Sequence, residues 1–246
     1  MKARILLLLV AVAASLAGCG AAAPTPTTAA IAATPTTAVV PPAPREVTFT
    51  TEDGVTLSGT LYGAGTTAVV FSHMSDGPRS EWRDLPEQLA ARGYMTLAYD
   101  FRGRGTSGGE FSPPASPDDL RAAVAFVREQ GASSVCLVGA SMGSMASAKV
   151  AATDRSACLV FVAGTTSWNG LDVTDAEVAA NDTPKLFISS DEDTYLNETL
   201  HLYEAAAPPK EKHVYPGGAH GTNLFESQGE DFSNRIIAFI ENHAPR

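Results

Sequence analysis

The chain has 246 residues, of which 44% are hydrophobic and 18% charged, ordinary proportions for a globular protein with length for one well-filled core. Its formal net charge is −10. Removal of a leader carrying Lys2 and Arg4 leaves 15 basic against 27 acidic residues, an excess that disfavours nucleic acid or an anionic membrane surface as an electrostatic partner.

Residues 1–18 have the pattern of a secretory leader: Lys2 and Arg4 as a positive start, an apolar stretch from Ile5 to Leu16, then small residues. The apolar stretch is short for a spanning helix. Leu16-Ala17-Gly18-Cys19 resembles the bacterial lipobox. That resemblance implies a lipid on Cys19 and an exported chain anchored to the cell membrane or cell surface. Residues 19–44 are almost entirely Ala, Pro and Thr, without charge, and cannot bury a core. They are expected to form a disordered tether, and residues 45–246 the folded domain.

Val47, Phe49 and Thr51 alternate with polar residues, Asp53-Gly54 is a hairpin signal, and alternation resumes from Val55 to Tyr62. An antiparallel hairpin at a sheet edge is predicted. Ala68–Ser72 and Met95–Tyr99 are continuous apolar runs, as in strands buried on both faces. Between them Trp82, Leu85, Leu89 and Ala90 recur at helical spacing up to Arg92-Gly93. A helix is predicted from Asp118 to Glu129, with acids in its first turn. Further strands are predicted at Val135–Ala140, Ala157–Ala163, Leu186–Ser190 and His213–Tyr215, and a last helix over Leu224–His243. Strands alternating with helices imply a parallel sheet covered on both faces.

The strand ending at Ala140 runs into Gly139-Ala140-Ser141-Met142-Gly143, and a small-residue helix follows. Gly-x-Ser-x-Gly between strand and helix is the setting of a nucleophile elbow, with glycines where backbones nearly touch. Ser141 would stand at the apex, and the Met142 amide would face a developing oxyanion. A serine nucleophile needs a base, and the base an acid to orient it. His220 lies in the glycine-rich turn after the last strand, whereas His201 falls mid-helix, His213 starts a strand and His243 is near the terminus. The acid is sought in Asp191-Glu192-Asp193. Spacing does not choose among the three; Asp193, deeper in the turn, is favoured over Asp191.

On these residues the chain resembles the α/β-hydrolase-fold serine hydrolases, over essentially all of residues 45–243. The order Ser141, Asp193, His220 is the order of that fold. Asp100-Phe101-Arg102-Gly103-Arg104-Gly105-Thr106-Ser107 resembles the family's D-x-R-G-x-G-x-S turn, which serves loop architecture. Phe71-Ser72-His73-Met74 stands where the family often has His-Gly. The resemblance implies a mostly parallel eight-stranded sheet flanked by helices, a second oxyanion amide at Met74, and a His73 ring that orders the oxyanion loop rather than acting as a base. It further implies ester hydrolysis through an acyl-enzyme on a small-molecule substrate, with no cofactor and no metal. Peptidase, thioesterase and acyltransferase chemistry share the same triad, and a catalytically idle binding lipoprotein is the alternative from another class.

Only about twenty residues, 164–184, stand where many relatives carry a helical lid, so a minimal lid is expected, with Trp168 and Leu171 as pocket-wall candidates and short or exposed acyl groups as substrates. Cys136 and Cys158 fall on strands expected to be neighbours and are read as buried free thiols, although export would permit a disulfide.

Overall fold

The computed structural model describes residues 42–244 and Arg246. The leader, Cys19 and nearly all of the predicted tether lie outside the described residues.

Among the described residues ten strands and seven α-helices follow in order: β1 (Arg45–Thr50), β2 (Thr56–Tyr62), β3 (Thr67–Ser72), α1 (Leu85–Ala91), β4 (Met95–Tyr99), α2 (Ser116–Glu129), β5 (Ser134–Ala140) and α3 (Met142–Thr153). Then come β6 (Cys158–Val162), β7 (Ser167–Trp168), β8 (Leu171–Asp172), α4 (Asp175–Val178), β9 (Lys185–Ser190), α5 (Leu196–Ala205), β10 (Lys210–Tyr215), α6 (Leu224–Ser227) and α7 (Glu230–His243). Eight strands form one sheet in the order β1-β2-β4-β3-β5-β6-β9-β10. β1–β2 and β2–β4 pair antiparallel, and all other neighbours pair parallel.

Alternation along the central strands builds two cores. Ala68, Val70, Leu137 and Phe161 pack with α2, α3 and α5 on one face. Val69, Phe71, Val138 and Val160 pack with α1 and α7 on the other. Because β3, β5, β6, β9 and β10 all run parallel, the loops after them gather at one end of the sheet, where ligands bind in folds of this kind.

Three expectations are corrected. Trp82 does not belong to α1; it ends a separate 3-10 turn, Arg79–Trp82. Arg83 takes a positive φ of 52° and Pro86 has no N–H to offer the Trp82 carbonyl, so the α-helix starts at Leu85. The terminal helix is broken where Gly229 adopts φ 51°, separating α6 from α7. Cys136 and Cys158 are not free thiols but form a disulfide. They are directly paired in the β5–β6 register and belong to the same core, with Cα atoms 4.7 Å apart, inside the range a disulfide spans.

Candidate active site

β5 ends at Ala140 and α3 begins at Met142, so the chain reverses on Ser141 alone. Its φ of 52° and ψ of −119° put a non-glycine residue in strained territory. Hydrogen bonds on both sides hold it there: Ser141 N–H donates to Val162 O at 2.8 Å, and the Ser144 hydroxyl donates to Ser141 O at 2.6 Å. The flanking glycines are spatially required. A Cβ on Gly139 would lie 2.2 Å from Gly143 O, and one on Gly143 would lie 2.2 Å from Ser72 O.

The loops after β9 and β10 are zipped together. Asp191 N–H donates to Tyr215 O, Glu192 N–H to Gly217 O, and the Ser190 hydroxyl to Ala219 O. This brings three separated residues into line. His220 Nε2 lies 2.9 Å from Ser141 Oγ, and His220 Nδ1 lies 2.9 Å from Asp193 Oδ2. The other oxygen of Asp193 accepts the Tyr195 N–H at 2.8 Å, so a buried carboxylate is satisfied on both sides. Asp191 is exposed and accepts the Gly217 N–H at 2.7 Å, which ties the turn and leaves the imidazole to Asp193. The other candidate histidines sit elsewhere: His201 pairs with Asp175, His213 lies in β10, and His243 faces Glu211.

His73 is fully buried. Its Nδ1 lies 2.5 Å from Met74 O and its Nε2 accepts the Phe101 N–H at 3.0 Å. Burial lowers its pKa to about 4, so the ring is neutral with the proton on Nδ1. The Met74 amide differs from expectation: it donates to Glu81 Oε2 at 3.2 Å and is not free for an oxyanion. The next residue, Ser75, lines the same pocket as Ser141, and its N–H has no protein acceptor among the described residues. Met74 O is turned towards His73, and in a trans peptide the N–H points the opposite way, so the Ser75 N–H faces away from the buried ring. That Glu81 reaches back across seven residues to the Met74 amide is carried by no local pattern in the sequence.

The pocket over Ser141 holds about 230 Å³ and is walled by Met74, Met142, Met145 and Trp168. Residues 164–184 supply a two-strand hairpin, β7–β8, and the single-turn α4, with no helical lid among them. Trp168 lines the pocket as expected; Leu171 instead points into the core with α2 and α3.

A sequence profile of the alpha/beta hydrolase family matches residues 55–176. No curated protein matches the sequence. Among solved structures, an esterase of Pyrococcus furiosus is similar with a TM-score of 0.71 at 19% identity, over 82% of this chain and 91% of that one. The esterase RhEst1 from a Rhodococcus species gives 0.70 at 18% identity, over 81% and 99%. Est1E of Butyrivibrio proteoclasticus, solved with ferulic acid bound, gives 0.69 at 16% identity, over 81% and 100%. The strand order, the serine turn after β5 and these likenesses together show that the chain has the alpha/beta hydrolase fold.

Proposed function

We propose that this chain is a serine hydrolase of carboxylic esters, with Ser141 as nucleophile, His220 as base and Asp193 as the orienting acid. The observation that carries the reading is the continuous chain from Asp193 Oδ2 through the His220 ring to Ser141 Oγ, 2.9 Å at each step. An ionised Asp193 accepts from Nδ1–H, which leaves Nε2 bare to take the serine proton. Ser141 Oγ attacks the ester carbonyl as His220 accepts its proton. The imidazolium then protonates the departing alcohol, and water repeats the two steps on the acyl-enzyme.

The oxyanion is received by the amides of Met142 and Ser75, each donor of this kind being worth about 3–4 kcal/mol in the transition state. A pocket of about 230 Å³, below the usual range for small-molecule sites, suits short acyl groups. The esterase names of the structural neighbours agree with ester chemistry. The lipobox-like residues 16–19 support an exported enzyme held at a membrane by a lipid on Cys19.

The test is labelling with a fluorophosphonate probe beside hydrolysis of p-nitrophenyl acetate. Wild type is expected to capture the probe at Ser141. Ser141→Ala is expected to lose labelling and about 10⁴-fold or more in kcat. Turnover by Ser141→Ala at the wild-type rate overturns the assignment.

A further inference from the structure

Glu81 lies in the 3-10 turn Arg79–Trp82, seven residues after Met74. Its Oε2 accepts two hydrogen bonds from two different loops: the Met74 N–H at 3.2 Å and the Thr222 hydroxyl at 3.4 Å. Met74 belongs to the loop after β3, and Thr222 stands two residues beyond His220. The same two loops also meet directly. A Cβ on Gly221, whose φ is 57°, would lie 2.4 Å from Met74 Sδ, so a glycine there lets the thioether pack against the residue after the base.

Met74 is thereby held on both sides of its Cα, by Glu81 through its N–H and by His73 through its C=O. With both peptide planes fixed, the direction of the Ser75 N–H is fixed as well. Glu81 is half-buried and in none of the ion pairs of the described residues, and burial pushes its carboxyl pKa up. A carboxylate in such surroundings is costly, and a stable fold alone does not call for one.

We propose that Glu81 is a positioning residue for ester hydrolysis: its carboxylate clamps the oxyanion loop to the loop of the base, so that the Ser75 amide and the His220 imidazole keep a fixed separation. The inference rests on the serine-hydrolase reading above. It also accounts for methionine at position 74. The amide that faces Glu81 does not have to reach the substrate, and the side chain is needed as the second contact between the loops.

The experiment compares Glu81→Leu, Glu81→Gln and Thr222→Val with wild type. It reads kcat and KM on p-nitrophenyl acetate, the Ki of an arylboronic acid that forms a tetrahedral adduct on the serine, and the thermal midpoint. Glu81→Leu is expected to lose about 10–100-fold in kcat, the scale of a small misplacement of reacting groups, with KM within about threefold. The boronate Ki should weaken in parallel with kcat/KM. Glu81→Gln keeps an oxygen that accepts from both donors and is expected to restore kcat to within about threefold. Thr222→Val removes one arm and is expected to fall between.

Wild-type kcat in folded Glu81→Leu overturns the clamp, as does failure of folded Glu81→Gln to restore kcat. Should Glu81→Leu not fold, unchanged kcat in Thr222→Val overturns it instead. Should wild type neither capture the fluorophosphonate nor hydrolyse esters, the hydrolase reading falls and the clamp with it. Activity in wild type with no loss in the Glu81 variants removes the clamp alone.

Discussion

Two polar networks stand at the same end of the sheet, each organised by a buried aspartate, and they differ in where they end. Around Arg102 every side-chain nitrogen donates to a carboxylate. Its backbone N–H donates to Asp119 Oδ2 at 2.9 Å, its Nε to Asp119 Oδ1 at 2.8 Å, and its two terminal nitrogens to Asp53 at 2.7 and 3.1 Å. Asp119 is fully buried in the first turn of α2, so the pair ties the turn after β4 to that helix. Around His220 the chain of hydrogen bonds begins at an equally buried carboxylate but ends on a serine hydroxyl in a pocket wall. A closed network holds the fold. One that ends at a cavity has a group to offer a substrate.

The largest expected effect follows from opening the second network at its acid. Asp193→Asn keeps the shape and the acceptor for the Tyr195 N–H but presents the imidazole with the wrong partner, favouring the tautomer with its proton on Nε2. A loss of about 10³–10⁴-fold in kcat is expected, with the thermal midpoint little changed. Asp191→Asn, which touches only the Gly217 amide and solvent, is expected to keep kcat within about threefold. If the two variants behave alike, the division of labour read from these loops is wrong.

Breaking the first network should do the reverse. Arg102→Met keeps the backbone N–H on Asp119 but removes its guanidinium partner, in a site where burial already pushes its carboxyl pKa up. Removal of one member of a buried pair costs about 3–5 kcal/mol. Denaturant unfolding should show that loss, while fluorophosphonate labelling per folded molecule stays within about twofold of wild type. Equal damage to stability and labelling would mean that the two networks are one.

What was legible beforehand follows the same division. Strands buried on both faces announce themselves as apolar runs, and Met95–Tyr99 falls where expected to the residue. The serine turn, the order of its partners and the edge hairpin are local patterns of spacing and turn chemistry. The rest depends on contacts between distant segments. Asp193 is separated from Asp191 only by the way Tyr195 N–H and His220 divide its two oxygens. The cysteine pair needs the β5–β6 register, which no single strand specifies. Glu81 looks like a surface acid in a helical pattern until Met74 and Thr222 are brought to it.

The smallest effect sharpens the comparison through the two histidines. His73 is saturated on both nitrogens and sealed; His220 ends at the pocket. A sealed histidine should report in stability. Its folded pKa of about 4 lies below the free value of 6.5, so between those values the unfolded chain binds more protons than the folded one. The stabilisation from the neutral ring is therefore complete above about pH 6.5 and is lost as pH falls towards 4, on the order of 3 kcal/mol in total. Glu81 and Asp119, both raised by burial, titrate with the opposite sign at the acidic end, so the cleanest window is about pH 5.5–6.5. There the unfolding free energy of wild type should rise with pH by up to about 1.4 kcal/mol per unit more than that of His73→Gln, which has no imidazole to protonate. Parallel curves for the two proteins would show that the ring titrates in the fold as it does in the unfolded chain, and the closed role assigned to His73 would fall.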